Sequence, residues 1–143
     1  MVVVIAAALL AWLARRLLPV PPMDLPGSGW LALGIAAGGL VPIVLGLRSF
    51  QRAGTTVDPL APANASTLVT GGIYRWSRNP MYLGFALLLT AWCVWLATAP
   101  GLLVVPAFVL YMNRFQIGPE ERALEARFGE EYRVYRGAAR RWL

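Results

Sequence analysis

The chain has 143 residues, 58% hydrophobic and only 14% charged, with a mean hydropathy of +0.58. A soluble domain carries about 25% charged residues. Here the apolar residues gather in four blocks of near-membrane length, which reads as one all-α integral membrane domain. Histidine is absent, Cys93 is the single cysteine, and arginine alone supplies the cations behind the net charge of +6. These counts exclude disulfides within the chain, thiolate metal sites and the commonest general base; the basic balance points to anionic lipid headgroups, not nucleic acid.

The first block, residues 2–18, is apolar until Arg15 and Arg16. No basic segment precedes it, so it reads as a transmembrane helix and not a cleaved signal. Pro19, Pro21, Pro22 and Pro26 end it, since each disfavours helix in the residue before. Residues 28–47 form the second span, with Gly34, Gly38 and Gly39 as a face for close helix approach through Gly34-xxx-Gly38 and a kink at Pro42. Residues 48–80 are a loop. Its T-T-V-D-P-L-A-P-A-N-A-S stretch is turn and N-cap chemistry, and L-V-T-G-G-I-Y-R-W carries enough bulk to fold back as an ordered segment.

Residues 81–98 and 101–117 are the third and fourth spans, joined by Ala99-Pro100 and therefore antiparallel neighbours. Each reaches about 26 Å, just enough for a hydrocarbon core of about 30 Å; Pro106 is expected to kink the fourth. A helical cap follows over 119–143. Pro119 suits a first turn and Glu120 and Glu121 complement the helix dipole. Leu124, Phe128, Tyr132 and Tyr135 share one face, Gly129 is a candidate break, and the closing R-R-W-L suits a membrane surface. With four spans both termini lie on one side. Eleven arginines belong to the long loop, the end of the fourth span and the cap, against Arg15 and Arg16 on the other side. That asymmetry places both termini and the loop in the cytoplasm, in a bacterial inner membrane.

The stretch from Gly71 to Gly84, G-G-I-Y-R-W-S-R-N-P-M-Y-L-G, feeds the third span, and the acids Glu120 and Glu121 follow the fourth. Each feature has a plain reading alone. Arg78 is a snorkelling anchor, Asn79-Pro80 an N-cap with its N1 proline, and the acid pair a complement to the dipole. Gathered at one end of a hairpin with a charge-free interior, they make a candidate site. All seven acids lie outside the four spans, which argues against a cation transporter.

The run L-V-T-G-G-I-Y-R-W-S-R-N-P-M-Y-L-G, then an apolar hairpin, then E-E-R-A-L-E-A-R-F-G-E-E-Y-R-V-Y, resembles the isoprenylcysteine carboxyl methyltransferase family over about residues 54 to 137. The related phospholipid N-methyltransferases share the plan. The resemblance implies S-adenosylmethionine wrapped between the last membrane helices and the C-terminal helices, and methyl transfer to a lipophilic small molecule or membrane lipid. Carried over, the cofactor contacts fall on Ser66, Thr67, Leu68, Val69, Tyr74, Asn79, Pro80, Met81, Tyr82 and Glu120. Arg78, Arg114, Gln116 and Glu121 fall beside the chemistry.

Two positions depart from the family. Asn79 stands where histidine is commonest, and it hydrogen-bonds without titrating. Gln116 stands where the carboxyl methyltransferases hold substrate with an arginine; Arg114, two residues away, points to a nearly opposite side. An activated sulfonium donor needs positioning and a nucleophile more than acid catalysis, so a chain without histidine can serve. An amine acceptor must lose a proton, and Glu121 or a tyrosine are the visible bases. The alternatives are a membrane reductase of the sterol-reductase type using NADPH and a non-catalytic membrane scaffold.

Overall fold

A computed structural model of the chain describes residues 2–21, 26–54 and 67–143. In chain order it holds α1 (Val2–Leu17), α2 (Ser28–Arg52), a 3-10 turn (Gly72–Arg75), α3 (Pro80–Trp95), α4 (Ala99–Leu102), α5 (Val104–Tyr111), a π-helical stretch (Met112–Ile117), α6 (Gly118–Phe128) and α7 (Glu130–Ala138). Among the described residues there is no strand, only an isolated parallel bridge between Ser77 and Arg140. The chain divides into two compact units. One comprises Met1–Val41 and Gly84–Tyr111, the other Pro42–Leu83 and Met112–Leu143.

In the first unit α1 packs against α4 and α5. The face it buries is small: Ala7 and Ala11, one turn apart, are covered, while Ile5, Leu9 and Leu10 point outward. Small residues at a helix contact let backbones approach, and outward leucines suit a lipid surrounding. Trp92 on α3 donates its indole N–H to the Ala8 carbonyl at 3.1 Å. In this unit α2 approaches α3 closely at Gly39, not through Gly34-xxx-Gly38. A β-carbon at position 39 would lie 3.0 Å from the Gly84 carbonyl oxygen, whereas positions 34 and 38 have nothing within 4 Å.

The turn joining α3 to the next helix comes earlier than Ala99-Pro100, which already belong to α4. It centres on Ala97, with φ of 48°, and on buried Thr98, whose hydroxyl accepts from the Gly101 amide. Pro106 lies one turn after Leu103, where α4 and α5 meet with the Leu103 backbone still right-handed helical. Proline has no N–H to offer the Leu102 carbonyl, and its ring crowds that group. Pro42, by contrast, sits inside α2, which runs on to Arg52.

Two helical runs, Ser28–Arg52 and Ala99–Phe128, are long and apolar enough to cross a membrane. The helices α1 and α3 have 16 residues each, about 24 Å at 1.5 Å per residue. Four full spans were expected, and by length two are present among the described residues. In the second unit the candidate break at Gly129 separates α6 from α7. Its φ of 53° closes α6, and its amide donates to the Glu125 carbonyl at 2.9 Å. A left-handed backbone of this kind favours glycine.

Candidate active site

All side chains of the candidate site belong to the second unit. Gly72, with φ of +63°, turns the chain into the 3-10 turn, where a β-carbon would meet Ser49 Oγ at 2.9 Å. The turn buries Tyr74, whose ring meets Phe50 edge-on at 5.4 Å. Gly46 on α2 makes room for the start of α3: a β-carbon there would lie 2.9 Å from Met81 Cγ and 3.6 Å from Pro80 Cγ. Asn79 precedes α3. Its amide N–H donates to Ser77 Oγ, and its side-chain amide donates to the Arg141 carbonyl at 2.9 Å. Thr67, Leu68 and Val69 are irregular chain leading towards Gly71, and Ser66 lies outside the described residues.

The C-terminal segment is tied down by the loop before α3. The Arg78 amide donates to the Arg140 carbonyl at 2.8 Å. The Arg78 guanidinium donates to the carbonyls of Arg136 and Ala139 and, at 2.9 Å, to Glu121 Oε1. Arg141 closes on the same carboxylate, with Nε 3.1 Å from Oε1 and Nη2 2.6 Å from Oε2. Trp142 donates to Asn113 Oδ1 and Tyr135 to the Tyr74 carbonyl. Glu121 is therefore a buried carboxylate held by two guanidinia. Burial acts to raise its pKa, but the bonds and charges of Arg141 and Arg78 outweigh it and hold the group below the ordinary carboxylate value.

One residue earlier the environment reverses. Glu120 Oε1 accepts from Tyr82 Oη at 2.6 Å and from the Gln116 side-chain amide, both neutral donors. Among the described residues no cation forms a salt bridge with it. Burial raises its pKa, the bonds from Tyr82 and Gln116 oppose the rise, and the charge of Glu121 adds to it. Gln116 belongs to the π-helical stretch that precedes α6, a geometry that concentrates at functional sites. Arg114 is exposed, its guanidinium 6.0 Å from the centre of the Phe115 ring. Tyr74 and Tyr135 hold their phenolic protons above the ordinary pKa, in both cases chiefly through burial.

The structure thus gathers Tyr82, Gln116 and Glu120 in one cluster, and Arg78, Asn79 and Glu121 with the C-terminal segment in another. Sequence reading missed Arg141, Trp142 and Gly46. The tail's cation and tryptophan pattern pointed to a membrane surface. Nothing in its spacing from Glu121 marked Arg141 as an ion-pair partner.

The phospholipid methyltransferase family model matches residues 28–131. An uncharacterized protein of Haemophilus influenzae is 49% identical over 63 residues, 44% of this chain and 100% of that protein. Protein-S-isoprenylcysteine O-methyltransferases of Rattus norvegicus and Mus musculus are each 31% identical over 144 residues, 91% of this chain and 47% of theirs. The chain therefore spans about half the length of those two enzymes. No solved structure matches it. The matched region takes in the loop before α3, the π-helical stretch and the acid pair, and on that match the chain belongs to the phospholipid methyltransferase family.

Proposed function

We propose that the chain transfers a methyl group from S-adenosylmethionine to a lipophilic acceptor at the cytoplasmic face of the membrane, with both termini on that face. One observation carries the reading. Of two adjacent glutamates, the buried Glu121 is neutralised by two arginines, while the half-buried Glu120 is bonded by the neutral donors Tyr82 and Gln116. A half-buried carboxylate without a cation bears part of the desolvation cost of a buried charge, and a positive partner relieves it. A cationic cofactor is such a partner, so the donor set fits S-adenosylmethionine.

When bound, that cofactor supplies an activated methyl group on a cationic sulfur. The chain's own part is to bind and orient. Glu120 meets the positive or hydroxyl groups of the cofactor, with Tyr82 and Gln116 fixing its Oε1. Asn79, Pro80 and Met81 at the start of α3, with Tyr74 and the Ser66–Val69 segment, complete the cofactor's surroundings. Arg78 and Glu121 act as positioning residues by holding the C-terminal segment against the loop. A carboxylate kept as acidic as Glu121 is a weak proton acceptor, so an amine acceptor would give its proton to Glu120 or to water. Gln116 belongs to the acceptor side, whereas Arg114 is exposed against Phe115. The neutral amide of Gln116 suits a lipophilic amine, thiol or hydroxyl better than a prenylcysteine carboxylate, because a desolvated anion there would lack a counter-charge.

Calorimetry on the detergent-purified protein tests this. S-adenosylmethionine should bind, and Glu120→Ala should lose about 1.5–3 kcal/mol, roughly ten- to over a hundredfold in affinity. Binding of NADPH in its place would favour the reductase. Undiminished binding by Glu120→Ala would remove this glutamate from the site.

A further inference from the structure

The first unit holds a cavity of about 340 Å³ lined by Trp12, Arg15, Arg16, Trp95 and Leu96. Trp95 is the last residue of α3, and none of the lining residues belongs to the Glu120 cluster. Its volume lies in the range of small-ligand pockets, about 300–1,000 Å³. Arg15 and Arg16 both occupy the last turn of α1. The negative end of the helix dipole favours cations there, but it does not require two adjacent guanidinia to open on the same cavity. The Arg16 guanidinium stacks over the Trp12 ring, 5.5 Å from its centre, which orders it against an aromatic face.

No acidic side chain belongs to the described residues of this unit. Among those described residues, therefore, no carboxylate neutralises the cation pair. Tryptophans commonly sit at lipid headgroup level, and Leu9 and Leu13, two turns and one turn before Leu17 on α1, are exposed apolar surface. A phosphate with attached acyl chains satisfies all three features. Arginine matches phosphate oxygens in bidentate geometry, the indoles line the headgroup, and the chains lie along α1. We infer that this cavity binds the phosphate headgroup of an anionic phospholipid that is not the methyl acceptor.

Native mass spectrometry on the full chain in detergent tests it, with phosphatidylglycerol, phosphatidylcholine and glycerol 3-phosphate as probes. Wild type should retain phosphatidylglycerol in preference to phosphatidylcholine. R15Q/R16Q should retain one phosphatidylglycerol fewer, its binding weakened about tenfold or more, and R15K/R16K should recover part of the loss. Equal retention of phosphatidylcholine, or undiminished retention by R15Q/R16Q, would overturn the inference. Competition by glycerol 3-phosphate as effective as that by whole lipid would also overturn it, in favour of a soluble phosphate. Should R15Q/R16Q fail to fold, Trp95→Ala carries the same test, since that side chain is exposed; unchanged retention by it would be equally decisive.

Discussion

Replacing Arg78 by alanine strips one of two guanidinia from Glu121 and removes the donors to the Arg136 and Ala139 carbonyls. Breaking a buried ion pair by deleting one partner costs about 3–5 kcal/mol, because a charge is left buried. The side chains of Arg78 and Glu121 are 10% and 11% exposed, so the buried case applies, whereas that of Arg141 is 41% exposed and its pairing is partly screened. Arg141 remains on the carboxylate in the variant, which softens the loss, while the two orphaned carbonyls add to it. We expect Arg78→Ala to cost about 4 kcal/mol and Arg141→Ala about 1 kcal/mol. A double-mutant cycle of Arg78→Ala with Glu121→Ala should give a coupling of about 2 kcal/mol. The assay is denaturant unfolding in detergent at neutral pH. Its pH dependence follows from the depressed pKa of Glu121. The stabilisation is complete above the unfolded value of about 4.3 and disappears as pH falls through the folded value; this dependence should shrink in Arg78→Ala. Additivity in the cycle to within about 0.5 kcal/mol would refute the coupling, as would a larger loss from Arg141→Ala than from Arg78→Ala.

Glu120 titrates with the opposite sign. Its raised pKa makes its contribution fullest below about 4.3 and lost as pH rises through the folded value. Glu120→Gln, which keeps an acceptor oxygen for Tyr82, should therefore melt higher than wild type at pH 7 without cofactor, and an equal or lower melting temperature would contradict this. For topology, single cysteines at Ala53 and Val20 in a Cys93→Ser background report on opposite faces. A membrane-impermeant thiol reagent on intact cells should label position 20, and stronger labelling at position 53 would reverse the orientation. Gln116→Arg should shift acceptor preference towards a prenylcysteine carboxylate; radiolabelled methyl transfer measures it, and robust wild-type activity on the prenylcysteine alone would sink the neutral-acceptor reading.

Much of the helical plan was legible because it rests on short-range rules. Apolar runs of near-span length and Pro80 and Pro119 in first turns each follow from local sequence. What escaped was set by partners distant in the chain. Gly39, not Gly34 or Gly38, takes the close contact, because the register of α2 on α3 decides which glycine faces the Gly84 carbonyl. A small-xxx-small pattern says only that some face is flat. Asn79 was legible as a cap, but its side chain is engaged by the Arg141 carbonyl, 62 residues away. The acid pair was visible as a pair. Its division into a neutralised and an unneutralised member was not, since that depends on where Arg78 and Arg141 arrive.

That division links the two halves of the proposed chemistry through position 116. Adjacent residues on a helix point about 100° apart, so Glu120 and Glu121 were bound to face different surroundings. Gln116 lies four residues before Glu120 and donates to it. An arginine at 116 stands at the same spacing, where opposite charges attract. It would supply the cation that Glu120 otherwise lacks, and so compete with a cationic cofactor for the carboxylate before reaching any acceptor anion. Gain of a carboxylate substrate in Gln116→Arg should therefore coincide with weaker cofactor binding whenever the new guanidinium rests on Glu120, and with unchanged binding when a bound acceptor carboxylate draws it away. Cofactor affinity measured with and without prenylcysteine separates the two states. Affinity that falls in neither condition would show that Glu120 does not bear the cofactor's charge.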